Sequence, residues 1–216
     1  MIPYRDLNPT QTTPIVTWLL VATNVGVFVL QLLSRDGLMA FGATPAYVLA
    51  ALWHGPKWPL LTLVTSAFLH GGFTHLFFNM LFLWIFGDNV EDRMGHLRFL
   101  GFYLTAAVIA AVGHIAMAPA SPVPMVGASG AISAVLGAYM VLFPTARIKT
   151  LFLIIIIIQT VELPAFVFLG IWIAIQMIDA MYSDPNAPGV AWYAHIGGFA
   201  FGFLMAFRYR RKKTRL

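Results

Sequence analysis

The 216 residues include no cysteine, which excludes disulfides and any thiol nucleophile. Charge is scarce too: Asp, Glu, Lys and Arg make up 10% of the chain, against 60% hydrophobic residues. A soluble domain carries about a quarter charged residues, and a fold of this size has too little interior to hide so much apolar surface. The composition therefore points to a polytopic membrane protein that lives in a lipid bilayer. The net charge of +5 is concentrated, since six of the thirteen basic residues are Arg208, Arg210, Arg211, Lys212, Lys213 and Arg215. No basic face exists elsewhere, so nucleic acid is not an expected partner. The cluster directly follows an apolar stretch, and the positive-inside rule places this short tail, 208–216, in the cytoplasm.

What is present is a series of apolar stretches. A span needs about 20 such residues, and six stretches lie near 14–33, 73–87, 97–119, 127–144, 164–182 and 190–208. Short connections leave no room for a second domain, so 1–216 reads as a single all-α membrane domain of six transmembrane helices. Two further apolar stretches are too short to cross. Pro59 to Leu69 ends at His70-Gly71-Gly72 and, with Ala46 to Trp53, reads as a loop lying in the interface or dipping into it. Leu151 to Ile158 is β-branched and reads as an interfacial segment or an early part of the fifth span. Only Arg5 precedes the first span, and no clear small-residue cleavage site follows it, so it reads as a retained helix. An even number of spans with a cytoplasmic C-terminus puts the N-terminus in the cytoplasm and the 34–72, 120–126 and 183–189 loops outside. No Arg- and Ser-rich transit segment precedes the first span, which favours a bacterial plasma (inner) membrane over an organelle.

Four polar residues then fall at similar depth on the outer side. Ser129 begins the fourth span in Gly127-Ala128-Ser129-Gly130, and His195 lies in the sixth. A Gly-Ala-Ser-Gly string is ordinarily a close-packing face, since small residues let helices approach. An ionisable residue inside a span is a functional candidate by default. His195, Gly198 and Gly202 share one helix face, as do Ser129, Ser133 and Gly137, and two small faces can meet closely enough for a Ser–His hydrogen bond. Free N–H groups at the start of the fourth span would favour an oxyanion beside Ser129. On the second span His75 and Asn79 sit at i and i+4, both able to donate to that oxyanion. His70 falls about 140° from His75 on a helical wheel and, with Gly71-Gly72 between them, reads as structural or cavity-lining.

Several alternatives lack residues. No carboxylate is placed to orient His195, so a dyad fits better than a triad. Position 131 is alanine, so Ser129 is not in the Gly-x-Ser-x-Gly elbow of soluble hydrolases. His70-x4-His75 is not the spacing of a helical zinc site, and no metal or other cofactor is expected. His54, His96 and His114 have no partners visible in the sequence.

The chain resembles the rhomboid family of intramembrane serine proteases. The resemblance rests on His70-x4-His75-x3-Asn79, then Gly127-Ala128-Ser129-Gly130, then Ala194-His195-x2-Gly198-x3-Gly202, in the family's order. Val90-Glu91-Asp92-Arg93-Met94-Gly95 is similar to the segment closing the second span of rhomboids. The resemblance implies a minimal six-helix bundle with a partly embedded loop between helices 1 and 2. It implies Ser129 as nucleophile, His195 as base, and His75, Asn79 and the Ser129 N–H as oxyanion site. Span five with the 183–189 loop would form a gate and cap, and the substrates would be single-span membrane proteins. Some rhomboids stack a tyrosine on the catalytic histidine four residues after the nucleophile; that position here is Ser133.

Overall fold

The computed structural model describes residues 1–34, 37–154 and 157–210. Arg211, Lys212, Lys213 and Arg215 of the basic tail lie outside the described residues. Helices occupy all six apolar stretches: α1 (Ile15–Leu33), α4 (Phe73–Met94), α5 (His96–Met117), α6 (Ser129–Leu142), α7 (Ala165–Tyr182) and α8 (Trp192–Ala206). Two shorter helices, α2 (Pro45–Trp53) and α3 (Thr62–Thr65), fill the connection between α1 and α4 together with 3-10 turns. Among the described residues, α1, α5 and α7 are each long and apolar enough to cross a membrane. The segment Trp58–Phe68 joins α4 through a bend of 78°, and the pair passes the same test as one broken unit. The break falls at His70-Gly71-Gly72, where the sequence placed it.

Local chemistry sets the helix ends. Pro164 stands at the N-cap of α7, where its missing N–H costs nothing. Gly95 ends α4 with φ of 82°, a conformation that glycine reaches without strain, and the chain turns directly into α5. Glu91, fully buried near the end of α4, serves α1 across the bundle. Its carboxylate accepts the Val16 and Thr17 N–H groups at 2.9 and 2.7 Å and the Thr17 hydroxyl at 2.7 Å. A negative group at a helix N-terminus satisfies donors that have no intrahelical partner and complements the dipole. His96 Nδ1 lies 2.5 Å from the same carboxylate.

The chain is mostly helical but not all-α, which corrects the sequence reading. Strands β1 (Ile2–Asp6), β2 (Arg147–Ile154) and β3 (Ile157–Pro164) form an antiparallel sheet in the order β1-β2-β3. The stretch from Leu151 to Ile158, whose residues 155 and 156 lie outside the described set, belongs to the paired strands β2 and β3, so it is not an early part of the fifth span, which begins at Ala165. The reason is its β-branched composition, which suits a pleated surface and crowds a helix. Lys149 pairs in register with Glu162, and Arg147 and Lys149 reach that carboxylate at 3.3 and 3.9 Å.

Asp6, at the end of β1, accepts hydrogen bonds from Tyr139 Oη of α6 at 2.7 Å and Asn89 Nδ2 of α4 at 2.8 Å. Thr12 donates its N–H and hydroxyl to Asp92 at 2.8 and 2.6 Å. The N-terminal segment thus straps the end of the bundle remote from Ser129. Burial raises the Asp6 carboxyl above its ordinary value of 3.8 despite those donors.

Candidate active site

The centre of the bundle is a seam between α6 and α8. A Cβ on Gly198 would stand 2.1 Å from the Gly130 carbonyl oxygen, and one on Gly202 would stand 1.8 Å from that of Ala134. From the other side, a Cβ on Gly137 would meet the Phe199 carbonyl oxygen at 2.2 Å. The two backbones therefore touch, as small-residue faces allow. On α6 the close approaches involve Gly130, Ala134 and Gly137, with Ser133 Cβ also beside Gly198, so the contact face overlaps the Ser129, Ser133 and Gly137 stripe and extends one residue past it. Ser129 meets α8 through His195. Gly130 serves a second neighbour, because a Cβ there would lie 2.6 Å from Ala110 Cβ of α5.

Ser129 Oγ lies 2.8 Å from His195 Nε2, within the range for proton transfer. Ser129 is the first residue of α6, so its N–H has no intrahelical acceptor. Ser133 is used for structure, donating its hydroxyl to the Ser129 carbonyl at 2.6 Å. Gly127 has φ of 128° just before the helix, and a Cβ there would sit 2.7 Å from His75 Cε1 and Nε2. Only glycine lets the serine loop pass so close to that ring. His75 Nδ1 accepts the Gly71 N–H at 3.3 Å, which leaves the proton on Nε2, beside Gly127. Asn79 is buried, and its Nδ2 has no protein partner. Two donors on α4 are thus available next to Ser129.

His70 is buried outside the helix, with its ring 5.1 Å from that of His75 in an edge-on arrangement. Its backbone is clamped by Gln31 of α1, which donates to the His70 carbonyl at 3.1 Å and accepts its N–H at 3.0 Å. His70 therefore packs behind His75. Ser129, His195, His75, Asn79, Gly127 and Gly130 line one cavity of about 580 Å³, with Trp172 of α7 and His114 of α5. His114 is buried with Nδ1 unpartnered, a position the sequence gave no reason to single out. Among the described residues no group of three His, Cys, Asp or Glu side chains is arranged to hold a metal.

Sequence reasoning missed the neighbours of His195. Gln176 of α7 approaches His195 Nδ1 with Oε1 at 2.7 Å. The Trp172 ring lies tilted 6.0 Å from the imidazole, and Trp192 meets it edge-on at 5.9 Å. The ring contacts that Ser133 does not give come from Trp172 on α7 and from Trp192, three residues before His195 on α8 itself. A signal was available: Gln176 is the sole amide in an apolar span, one helical turn from Trp172.

Comparison with known proteins bears on this arrangement. A family profile described as a Rhomboid domain matches residues 57–212. The chain is 35% identical over 204 residues to the protein named rhomboid protease GluP of Bacillus subtilis, covering 89% of this chain and 34% of that one. It is 29% identical to the putative rhomboid protease YdcA of the same organism, covering 94% of this chain and 92% of that one. It is 32% identical over 155 residues to Rhomboid protein 1, mitochondrial, of Saccharomyces cerevisiae, covering 67% of this chain and 40% of that one. The chain thus spans about a third of the first relative's length and nearly all of the second's. The chain belongs to the rhomboid family, and with its apolar helices it is a multi-pass membrane protein.

Proposed function

We propose that this member of the rhomboid family is an intramembrane serine endopeptidase working through a Ser129–His195 dyad. The observation that carries the reading is the 2.8 Å contact between Ser129 Oγ and His195 Nε2 inside a cavity with spare donors. His195 Nε2 takes the hydroxyl proton as Ser129 attacks the scissile carbonyl. The developing oxyanion is received by Asn79 Nδ2, His75 Nε2–H and the Ser129 N–H, donors fixed before the reaction begins. His195 then gives its proton to the leaving amine, and water releases the acyl group from Ser129 by the same steps in reverse. No step calls for a metal or cofactor.

Substrates are single-span membrane proteins cut near the outer face. A helix shields its carbonyls in its own hydrogen-bond ladder, so the substrate must unwind locally, which glycine and small residues favour. The whole of 1–216 acts as one membrane domain with six spans in a plasma membrane, both termini cytoplasmic, and the connection between α1 and α4 partly embedded. The apolar side chains that this connection exposes, among them Trp53, Leu61 and Tyr47, support that embedding. α7 and the 183–189 loop serve as gate and cap.

The test is cleavage of a single-span rhomboid model substrate by the protein reconstituted in liposomes. Ser129→Ala and His195→Ala should each abolish cleavage, and unchanged cleavage by either variant sinks the reading.

A further inference from the structure

We infer that Gln176 is the positioning residue that holds His195 in its proton-accepting tautomer, and that it does so from α7. The inference rests on the Ser129–His195 reading. A neutral imidazole carries one proton, and it accepts from Ser129 only if that proton sits on Nδ1. Gln176 Oε1 lies 2.7 Å from Nδ1, where a carbonyl-type oxygen can only accept. The orientation of the amide has its own support. Gln176 Nε2 donates to the Trp172 carbonyl at 3.4 Å, which turns Oε1 toward the imidazole. With the amide reversed, Nε2 would donate to Nδ1, the proton would move to the Ser129 side, and the base would be lost. Gln176 and His195 are both buried, so water does not readily replace the acceptor.

The placement of Gln176 matters as much as its chemistry. Ser129 and His195 ride on the α6–α8 seam. The buried residues of α7 are Ala165, Phe168 and Leu169 in its first half, then only Gln176 and Ala180. Ile171, Ile175, Met177, Ile178 and Met181 are exposed on the protein surface. The Gln176–His195 bond is therefore a polar link between the catalytic seam and the second half of α7, which is also tied to α8 where Tyr193 Oη donates to the Ala180 carbonyl at 3.2 Å. Any displacement of α7 that admits a substrate stretches this bond, and the dyad is reset when α7 returns.

The experiment compares Gln176→Met, which keeps length and apolar bulk but removes the acceptor, with Gln176→Glu, which keeps an acceptor. Both are reconstituted in liposomes beside wild type and Ser129→Ala, with kcat, KM, thermal midpoint and the pH dependence of kcat/KM recorded. Titratable groups facing His195 across the cavity are His75, His114, Asp184 and Tyr193, all unchanged in these variants. Gln176→Met should lower kcat roughly 10- to 100-fold with KM held and the thermal midpoint lowered by no more than loss of one buried hydrogen bond implies. Gln176→Glu should stay within a few-fold of wild type and move the acid limb upward, because a carboxylate favours the imidazolium. Gln176→Met within twofold of wild type overturns the inference. So does Gln176→Glu losing as much kcat as Gln176→Met with the acid limb unmoved. Cleavage by Ser129→Ala would instead overturn the dyad reading itself.

Discussion

The α6–α8 seam and α7 are built on opposite plans. At the seam, absent side chains bring backbones into contact: Gly198 faces the Gly130 carbonyl, Gly202 that of Ala134, and Gly137 that of Phe199. On α7, Gly170 has nothing within 4 Å of where its Cβ would be, and large apolar side chains point away from the bundle. The seam sets the distance between Ser129 and His195, while α7 reaches His195 through Trp172 and Gln176 from a helix that buries only Gln176 and Ala180 in its second half. Under the proposed function, precision and access thus fall to different elements, as admitting a substrate from the bilayer would require.

The largest way to break this contrast is at the seam. Gly202→Val would drive a branched side chain into the Ala134 carbonyl, 1.8 Å from where even a Cβ would stand. No relaxation short of separating the helices accommodates it, so folded protein should not be recovered from detergent, as size-exclusion profiles would report. Recovery of a stable, active Gly202→Val would mean that α6 and α8 need not touch.

A smaller effect sharpens the α7 side. Tyr193 Oη donates to the Ala180 carbonyl at 3.2 Å and ties the end of α7 to the start of α8. Tyr193→Phe should lower stability by about 1 kcal/mol, the net worth of one hydrogen bond. It should also raise kcat/KM for a membrane-embedded substrate by a few-fold, because α7 opens more readily. A fall in kcat/KM at unchanged KM would mean that the tether assists chemistry and not access.

Smaller again is a pH effect at the strapped end, far from both regions. The Asp6 carboxyl is raised by burial, so the folded state binds this proton more tightly than the unfolded chain. Its contribution to stability is present below 3.8 and is lost as pH rises through the raised folded value. Asp6→Asn should therefore flatten thermal midpoint against pH in that window, with dyad activity unchanged. A steeper profile in the variant would mean that the protonated Asp6 carboxyl does not stabilise the fold. The smallest effect belongs to Gly170→Ala, which should leave activity unchanged and stability unchanged or raised by up to about 1 kcal/mol, through helix propensity. A loss of more than that would mean α7 packs as tightly as the seam.

These contrasts were unequally legible in the sequence. Helix positions followed from apolar runs, and Ser129 and His195 stood out because each is polar in an apolar setting. The small-residue stripes on α8 and α6 do meet, but on α6 the contact also takes in Gly130 and Ala134, one residue over. Spacing identifies a helical stripe and cannot say which edge of it meets a partner. The β-hairpin was missed because a run of apolar β-branched residues has no period that separates a paired strand from an interfacial segment. Its third strand, β1, lies more than a hundred residues away in sequence. Gln176 was missed for a different reason. A carboxylate is the usual partner of a catalytic histidine, and an amide on a separate helix satisfies the same geometry without charge.

The most direct measurement is covalent capture of the nucleophile by a fluorophosphonate probe, located by mass spectrometry on wild type, His195→Ala and Ser129→Ala. A single adduct on Ser129 that disappears in both variants is the predicted result. Labelling of Ser129 that persists at full rate without His195, or an adduct on a different residue, would contradict the dyad.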